Sequence, residues 1–207
     1  MEGKVVLTGE VVSYPEVISN KRGKKLYRTY MEVLRTSLAV DIIPITFTEK
    51  SRLHKIYVRE GKNIVGKTIA VQGEIRSHNE NGHVFITVLV GNKVCVCNQD
   101  KAHCNVVNIT GYIAKLKDIR ETPLGSRIVD SIIAINCGRR KYYVPVIFWN
   151  GLAINVKERY RVGSKVRFIG RLQSRCYSKV VGYDNQGNVQ MEARTTYEVS
   201  VLELKKL

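Results

Sequence analysis

The sequence predicts an all-β protein made of two tandem five-stranded Greek-key barrels, each with one short helix between its third and fourth strands. Three observations carry this. The chain repeats itself at a period of about 100 residues. Apolar residues alternate with polar ones in five segments of each copy. A single helix-like interval falls at the same place in both.

The repeat is the strongest signal. "GKTIAVQGEIRS" (66–77) aligns with "GSKVRFIGRLQS" (163–174), placing Gly66 on Gly163, Gly73 on Gly170 and Ser77 on Ser174. Upstream, "VLTGEVV" (6–12) aligns with "NITGYIA" (108–114), and "IIPITF" (42–47) with "YVPVIF" (143–148). The offset drifts from 102 to 101 to 97, as loop-length changes would produce. We therefore divide the chain into a first domain, 1–98, a linker, 99–103, and a second domain, 104–207.

Alternation predicts strands near 4–13, 26–35, 38–48, 67–76 and 83–97 in the first copy. In the second they fall near 105–116, 127–137, 141–149, 165–177 and 191–203. The helix-like intervals are "SRLHKIYVRE" (51–60) and "GLAINVKERY" (151–160); in the latter, Leu152, Val156 and Tyr160 recur every fourth residue. Five strands with one helix between the third and fourth is the order of an OB-fold barrel.

"GKNIVGKT" (61–68) fits the phosphate-loop pattern G-x-x-x-x-G-K-[ST]. That pattern works only where a strand runs into the glycines and a helix leaves them. Here the segment follows the helix and enters a strand, and its counterpart "RVGSKVRF" lacks the pattern. Gly61 and Gly66 are read as turn residues, and Lys67 and Thr68 are not expected to bind a nucleotide.

The chain carries 34 Lys and Arg against 18 Asp and Glu, a net charge of +16 with a pI near 9.8. Such an excess calls for a polyanionic partner, most often nucleic acid. No basic amphipathic helix is long enough for the competing partner, an anionic membrane surface. The N-terminus reads as lacking a secretory signal, and runs such as "VFITVLVG" are too short to span a bilayer. With five cysteines, an odd number, the expected setting is the cytoplasm with reduced thiols, at the nucleoid. Cys95, Cys97, His103 and Cys104 fall within ten residues and could supply four zinc ligands. Their spacing is not one of the common pairs. Cys-x-Cys on a strand puts both thiols on one face, so the plainer reading is two half-buried strand cysteines before a polar linker, with no metal and no cofactor. Four histidines, at 54, 78, 83 and 103, form no acid–base constellation, and no enzyme activity is expected.

The stretch "VPVIFWNGLAINVKERYRVGSKVRFIGRLQSRCY" (144–177) resembles the bacterial single-stranded DNA-binding protein family. Pro145, Trp149, Leu152, Ala153, Gly163, Val166, Gly170, Leu172, Arg175 and Tyr177 stand in step with that family's core. The resemblance covers nearly all of 105–204; the first copy matches more weakly, through Gly9, Pro44, Phe47, Gly66 and Gly73. It implies non-enzymatic, sequence-independent binding of single-stranded DNA in replication, repair or recombination, the mode in which a basic groove follows the backbone and rings stack on bases. By resemblance, Trp149, Tyr177 and Tyr143 fall at the stacking positions, with Arg139, Arg140, Lys141, Arg171 and Arg175 beside them. "SKVVGYDNQGN" (178–188) looks like the flexible finger between strands four and five, from which Lys179 would contact phosphate.

The chemistry fits independently. The second copy has 18 Lys and Arg against 8 Asp and Glu; residues 1–103 have 16 against 10. Trp149 follows Phe148 on the opposite strand face, so one of the two must point outward. Tyr143 shares Trp149's parity, but Tyr142 could serve instead. The first copy has Thr48 where the second has Trp149, Ile42 where it has Tyr143, and "RSHNENGH" in place of the finger. Tyr27, Tyr30 and Phe85 could compensate in part, so the first copy is expected to supply electrostatics and assembly more than stacking. The end "VLELKKL" lacks the acidic tip by which relatives recruit partner enzymes. Two modules per chain imply a homodimer carrying four barrels. The alternative function is an OB-fold adaptor of the primosomal type, and RNA stands beside DNA because stacking does not register the 2′-hydroxyl.

Overall fold

Alternation builds the first strand, β1 (Gly3–Val11): Val5, Leu7 and Val11 are fully buried, while Lys4, Val6 and Glu10 face out. The structure, a computed structural model, describes residues 3–80, 83–97, 103–138, 140–183, 186 and 188–205. After β1 come β2 (Glu16–Lys21), β3 (Lys24–Leu34), β4 (Val40–Thr48), the short helix α1 (Arg52–His54), β5 (Thr68–Glu80) and β6 (His83–Val96). β1 pairs with β5 and, at Glu10 and Val11, with β3; β3 pairs with β4, β4 runs parallel to β6, and β6 pairs with β5. That circuit closes a barrel.

The second half repeats it with β7 (Cys104–Leu116), β8 (Arg120–Glu121), β9 (Arg127–Cys137), β10 (Arg140–Trp149), α2 (Asn150–Arg159), β11 (Lys165–Tyr183) and β12 (Val189–Lys205). β7 pairs with β9 and β11, and β10 runs parallel to β12. The protein is a tandem OB-fold. Phe47 in the first barrel and Phe148 in the second, aligned by the repeat, are both fully buried. Each contributes about 1.5–3 kcal/mol by leaving water.

β1 and β7 pair antiparallel, Val5 opposite Val107 and Val6 opposite Val106, so both barrels share one twelve-stranded sheet. Side chains reinforce that seam. Phe85 meets Tyr197 edge to face at 5.0 Å, Tyr143 N donates to Ser77 Oγ (3.0 Å), and Ser174 N donates to Asp41 Oδ1 (2.8 Å).

The repeated glycines of the strands are a packing requirement. A Cβ on Gly9 would stand 2.2 Å from the carbonyl oxygen of Glu32, and one on its counterpart Gly111 2.6 Å from that of Ala134. Gly73 and Gly170 meet the carbonyls of Leu89 and Ser200 at 2.6 and 2.5 Å in the same way. Each sits where a barrel strand coils across its neighbour's backbone, which a side chain would block.

The turn glycines repeat as well. Gly66 (φ +76°) donates its N–H to Val11 O, and Gly163 (φ +90°) donates to Ile113 O, both at 2.8 Å. Within "GKNIVGKT", Lys67 N donates to Ile64 O (3.0 Å) and Val65 N to Asn63 Oδ1 (2.9 Å). The amides of Val65, Gly66 and Lys67, which a phosphate loop would aim at its ligand, are already bonded, and Thr68 opens a strand instead of a helix.

Four expectations need correction. The first helix is one turn of α1 followed by a π-helical turn, Lys55–Arg59, closed by Glu60 N on Lys55 O (2.9 Å). The run Ile56-Tyr57-Val58 supplies two β-branched residues and an aromatic, which lose rotamer freedom in an α-helix. α2 is regular, burying Ala153 and Val156. The expected finger is largely a paired ribbon: β11 and β12 stay paired, with a register shift between Val180 and Gly182, as far as Tyr183 opposite Val189. β2 and β8 are additional edge strands; neither touches the core, so neither carries an apolar period. Cys95 is exposed whereas Cys97, one residue beyond β6, is buried, so the two thiols do not share a face. Among the described residues no three His, Cys, Asp or Glu side chains gather as metal ligands would, and no helix is long and apolar enough to cross a membrane.

Replacing Gly170 with Ala forces β11 away from the Ser200 carbonyl and should destabilise the fold by about 1–3 kcal/mol. Gly182→Ala, whose nearest neighbour would be Gln190 Oε1 at 3.9 Å, should stay within about 0.5 kcal/mol of the parent. Urea denaturation of both variants measures the contrast; equal stabilities would contradict the close-approach reading.

Candidate nucleic-acid interface

The outward residues of the second barrel meet on the sheet formed by β10, β12 and β11. Val144, Val146 and Phe148 point into the core, so Tyr143, Pro145, Ile147 and Trp149 lie on the outer face of β10. On β11, Leu172 is a core residue, and the alternation puts Arg171, Gln173, Arg175, Tyr177 and Lys179 on the same outer side. The face is physically continuous. Trp149 Nε1 donates to Ser200 Oγ on β12 (3.0 Å), and Gln173 Nε2 donates to Glu198 Oε1 (2.7 Å).

Trp149 is half-buried, with its indole edge fixed by Ser200. Asn150, in the left-handed region at φ +46°, makes the step from β10 into α2, and its side chain accepts from Arg127 N (3.1 Å). Tyr143 is 48% exposed. Tyr142 is not equivalent to it, because Arg76 of the first barrel lies over its ring at 4.7 Å. Tyr177 is half-buried opposite Arg194 on the ribbon. Arg140, Lys141, Arg175 and Lys179 are exposed. Arg139 lies outside the described residues.

Arg171 is the most unusual cation of the face. Its Nε is shielded from water and has no hydrogen-bond partner among the described residues. Burial and then the nearby charge of Arg35 hold its pKa below the ordinary arginine value, against the attraction of Asp41. Asp130 behaves oppositely. Burial works to raise its pKa, but the hydrogen bonds from Arg120 (2.9 and 3.2 Å) and the surrounding cations hold it below the usual carboxylate range.

Beside Trp149 this face hollows into a cavity of 400 Å³ lined by Arg35, Arg120, Arg171 and Arg175 together with Thr122, Pro123 and Gln173. Arg35 belongs to the first barrel and was not among the residues singled out from sequence. The repeat held a clue: Arg35 lies in the β3–β4 connection, the counterpart of the β9–β10 connection that leads to Arg140 and Lys141.

The first barrel presents a different surface. Thr48 is exposed at the position of Trp149. Tyr27 is a core residue stacked on Phe47 at 5.3 Å, and Phe85 is engaged with Tyr197, so neither serves as an open ring. A larger groove of 1710 Å³ runs along α1 and the "GKNIVGKT" turn, with Lys50, Arg52, Lys55, Arg59, Lys62 and Lys67 in its walls. Glu10, Glu49 and Glu60 share those walls, and among the described residues no aromatic side chain lines the groove. It has charge of both signs and nothing to stack on.

Comparison with known proteins agrees with the fold. No curated protein matches the sequence. The structure is similar to the wild-type single-stranded DNA binding protein of Thermus aquaticus, with a TM-score of 0.72 and 18% identity over 99% of this chain and 92% of that one. A deletion mutant of that protein aligns with a TM-score of 0.70, 18% identity, and coverage of 99% and 94%. At this identity the likeness establishes the shared fold. The single-strand binding protein family matches residues 104–207, half of the chain and the half that bears the outer face just described. The chain belongs to the single-strand binding protein family.

Proposed function

We propose that this protein binds single-stranded DNA without reading its sequence, protecting it during replication, repair or recombination, and that it does no chemistry on it. Family membership supports single-stranded DNA as the ligand. The observation that carries the finer reading is the outer face of β10, β12 and β11, where Trp149, Tyr143 and Tyr177 accompany Arg140, Lys141, Arg171, Arg175 and Lys179. Rings offer every base a stacking surface, and cations neutralise phosphates whatever the sequence. Arg139, beside Arg140 in sequence, belongs to the same basic run. The first barrel contributes positive charge and a supporting wall; two chains would bring four barrels together.

Binding should weaken steeply with salt. If six to eight phosphates are neutralised, the log–log slope is roughly −4 to −6, at about −0.7 per contact on a single strand. A flat response, or equal affinity for duplex, would contradict the reading.

The rings should matter separately from the charges. Stacking is worth about 1–3 kcal/mol per base, so Trp149→Ala and Tyr177→Ala should each weaken binding roughly 5- to 150-fold at fixed salt. Neither should change the salt slope, since no cation is lost. Trp149 is the only tryptophan, so its emission should quench as oligodeoxythymidine binds. Unchanged emission, with Trp149→Ala unfolded by circular dichroism, would make the ring a packing element only.

A further inference from the structure

We propose that the cleft between the two barrels holds one phosphodiester of the bound strand, gripped by Arg35 of the first barrel and Arg171 of the second, with the attached base against Trp149. This rests on the reading of the outer face as a strand-binding surface and makes the first barrel a direct participant at one defined point.

The geometry is built for an anion. Arg35 donates Nε and Nη2 to Asp41 (2.6 and 2.5 Å), a carboxylate with no exposure to solvent. Asp41 is fixed in turn by the second barrel, accepting from Ser174 N at 2.8 Å, while Ser174 Oγ accepts from Ile42 N at 3.1 Å. The guanidinium of Arg35 is therefore aimed into the cleft by a latch that spans both barrels. Across the cleft stands Arg171, with its shielded, unpartnered Nε. A polar donor shielded from water and bonded to nothing is costly, more so when it is cationic. The nearby charge of Arg35 adds to that cost, and an anion in the cleft would offset the repulsion between the two guanidiniums.

The charges around the cleft favour an anion. Arg35, Arg120, Arg171 and Arg175 line the cleft, Glu198 shares its wall, and Asp41 and Asp130 are bonded behind Arg35 and Arg120. With Lys117 also 4.0 Å from Asp130, cations outnumber carboxylates around the cleft, so a phosphodiester would enter a net positive field. The volume of 400 Å³ lies near the lower end of the range for small-ligand pockets. Planar guanidinium forks match phosphate oxygens. With Trp149 in the same wall, the base and phosphate of one nucleotide find their partners within one cavity.

The test is a salt-dependent titration with oligodeoxythymidine, read by Trp149 emission, of the parent protein and the variants Arg35→Gln, Arg171→Gln and Arg159→Gln. Arg159 is an exposed cation on α2, away from the cleft lining. Arg35→Gln and Arg171→Gln should each make the salt slope shallower by about 0.7. Losing a charge-assisted phosphate contact should also weaken binding on the order of tenfold at fixed salt. Quenching at saturation should persist, and Arg159→Gln should match the parent. If Arg35→Gln leaves the buried Asp41 unpaired and fails to fold, Arg171→Gln carries the test, because Arg171 has no carboxylate partner to strand. Parent-like affinity and slope in the folded cleft variants would overturn the cleft proposal, while weakened binding by Trp149→Ala, read from the anisotropy of a labelled strand, would leave the stacking face standing. A parent protein that does not bind the strand would instead overturn the functional reading beneath it.

Discussion

The antiparallel pairing of β1 with β7 is the constraint on which the rest of the structure depends. It makes two repeated barrels into one sheet, and so decides which first-barrel side chains can reach the second barrel's outer face. Because Val5 lies opposite Val107, the β3–β4 edge comes to rest beside β11, and Asp41 meets the amide of Ser174. The β5–β6 hairpin lies against β10 and β12, where Ser77 meets Tyr143, Arg76 covers Tyr142, and Phe85 abuts Tyr197. A one-residue slip in the seam would exchange buried Val5 and Leu7 for Val6 and Lys4, and all of these contacts would be lost together.

This asymmetric use of two similar barrels explains their divergence. Surface that remains open in the second barrel is spent on the seam in the first. Phe85, a candidate ring by sequence, packs against Tyr197 and carries Arg28 above it at 5.3 Å. Ser77, Arg76 and Asp41 likewise face their neighbour. The first barrel keeps the core pattern that the fold needs, including its close-approach glycines and Phe47, and has exposed Thr48 where the second has Trp149.

Much of this was legible in the sequence because it follows from local rules. Period-two alternation located the ten principal strands, and the repeat aligned Gly9 with Gly111 and Gly73 with Gly170 before their shared reason, a carbonyl within 2.6 Å of a missing Cβ, could be seen. The step from buried Phe148 to half-buried Trp149 followed from strand geometry alone. What stayed hidden depends on partners distant in the chain. The choice between Tyr142 and Tyr143 is made by Arg76, 66 positions before Tyr142, and Arg35 joins the cleft only through Asp41 and Ser174. β2 and β8 were missed because an edge strand with both faces in water has no apolar rhythm. The π-helical turn was missed because hydrophobic spacing does not distinguish it from an α-helical one.

Hydrogen–deuterium exchange with and without oligodeoxythymidine tests the central claim, that the strand lies on the second barrel's outer face and reaches the first barrel at the inter-barrel cleft. Slowed exchange on binding is predicted in β10, in residues 171–179 of β11, and in the connection from Arg35 to Asp41, with residues 50–67 unchanged. Protection confined to 50–67, along the ringless groove beside α1, would contradict the account.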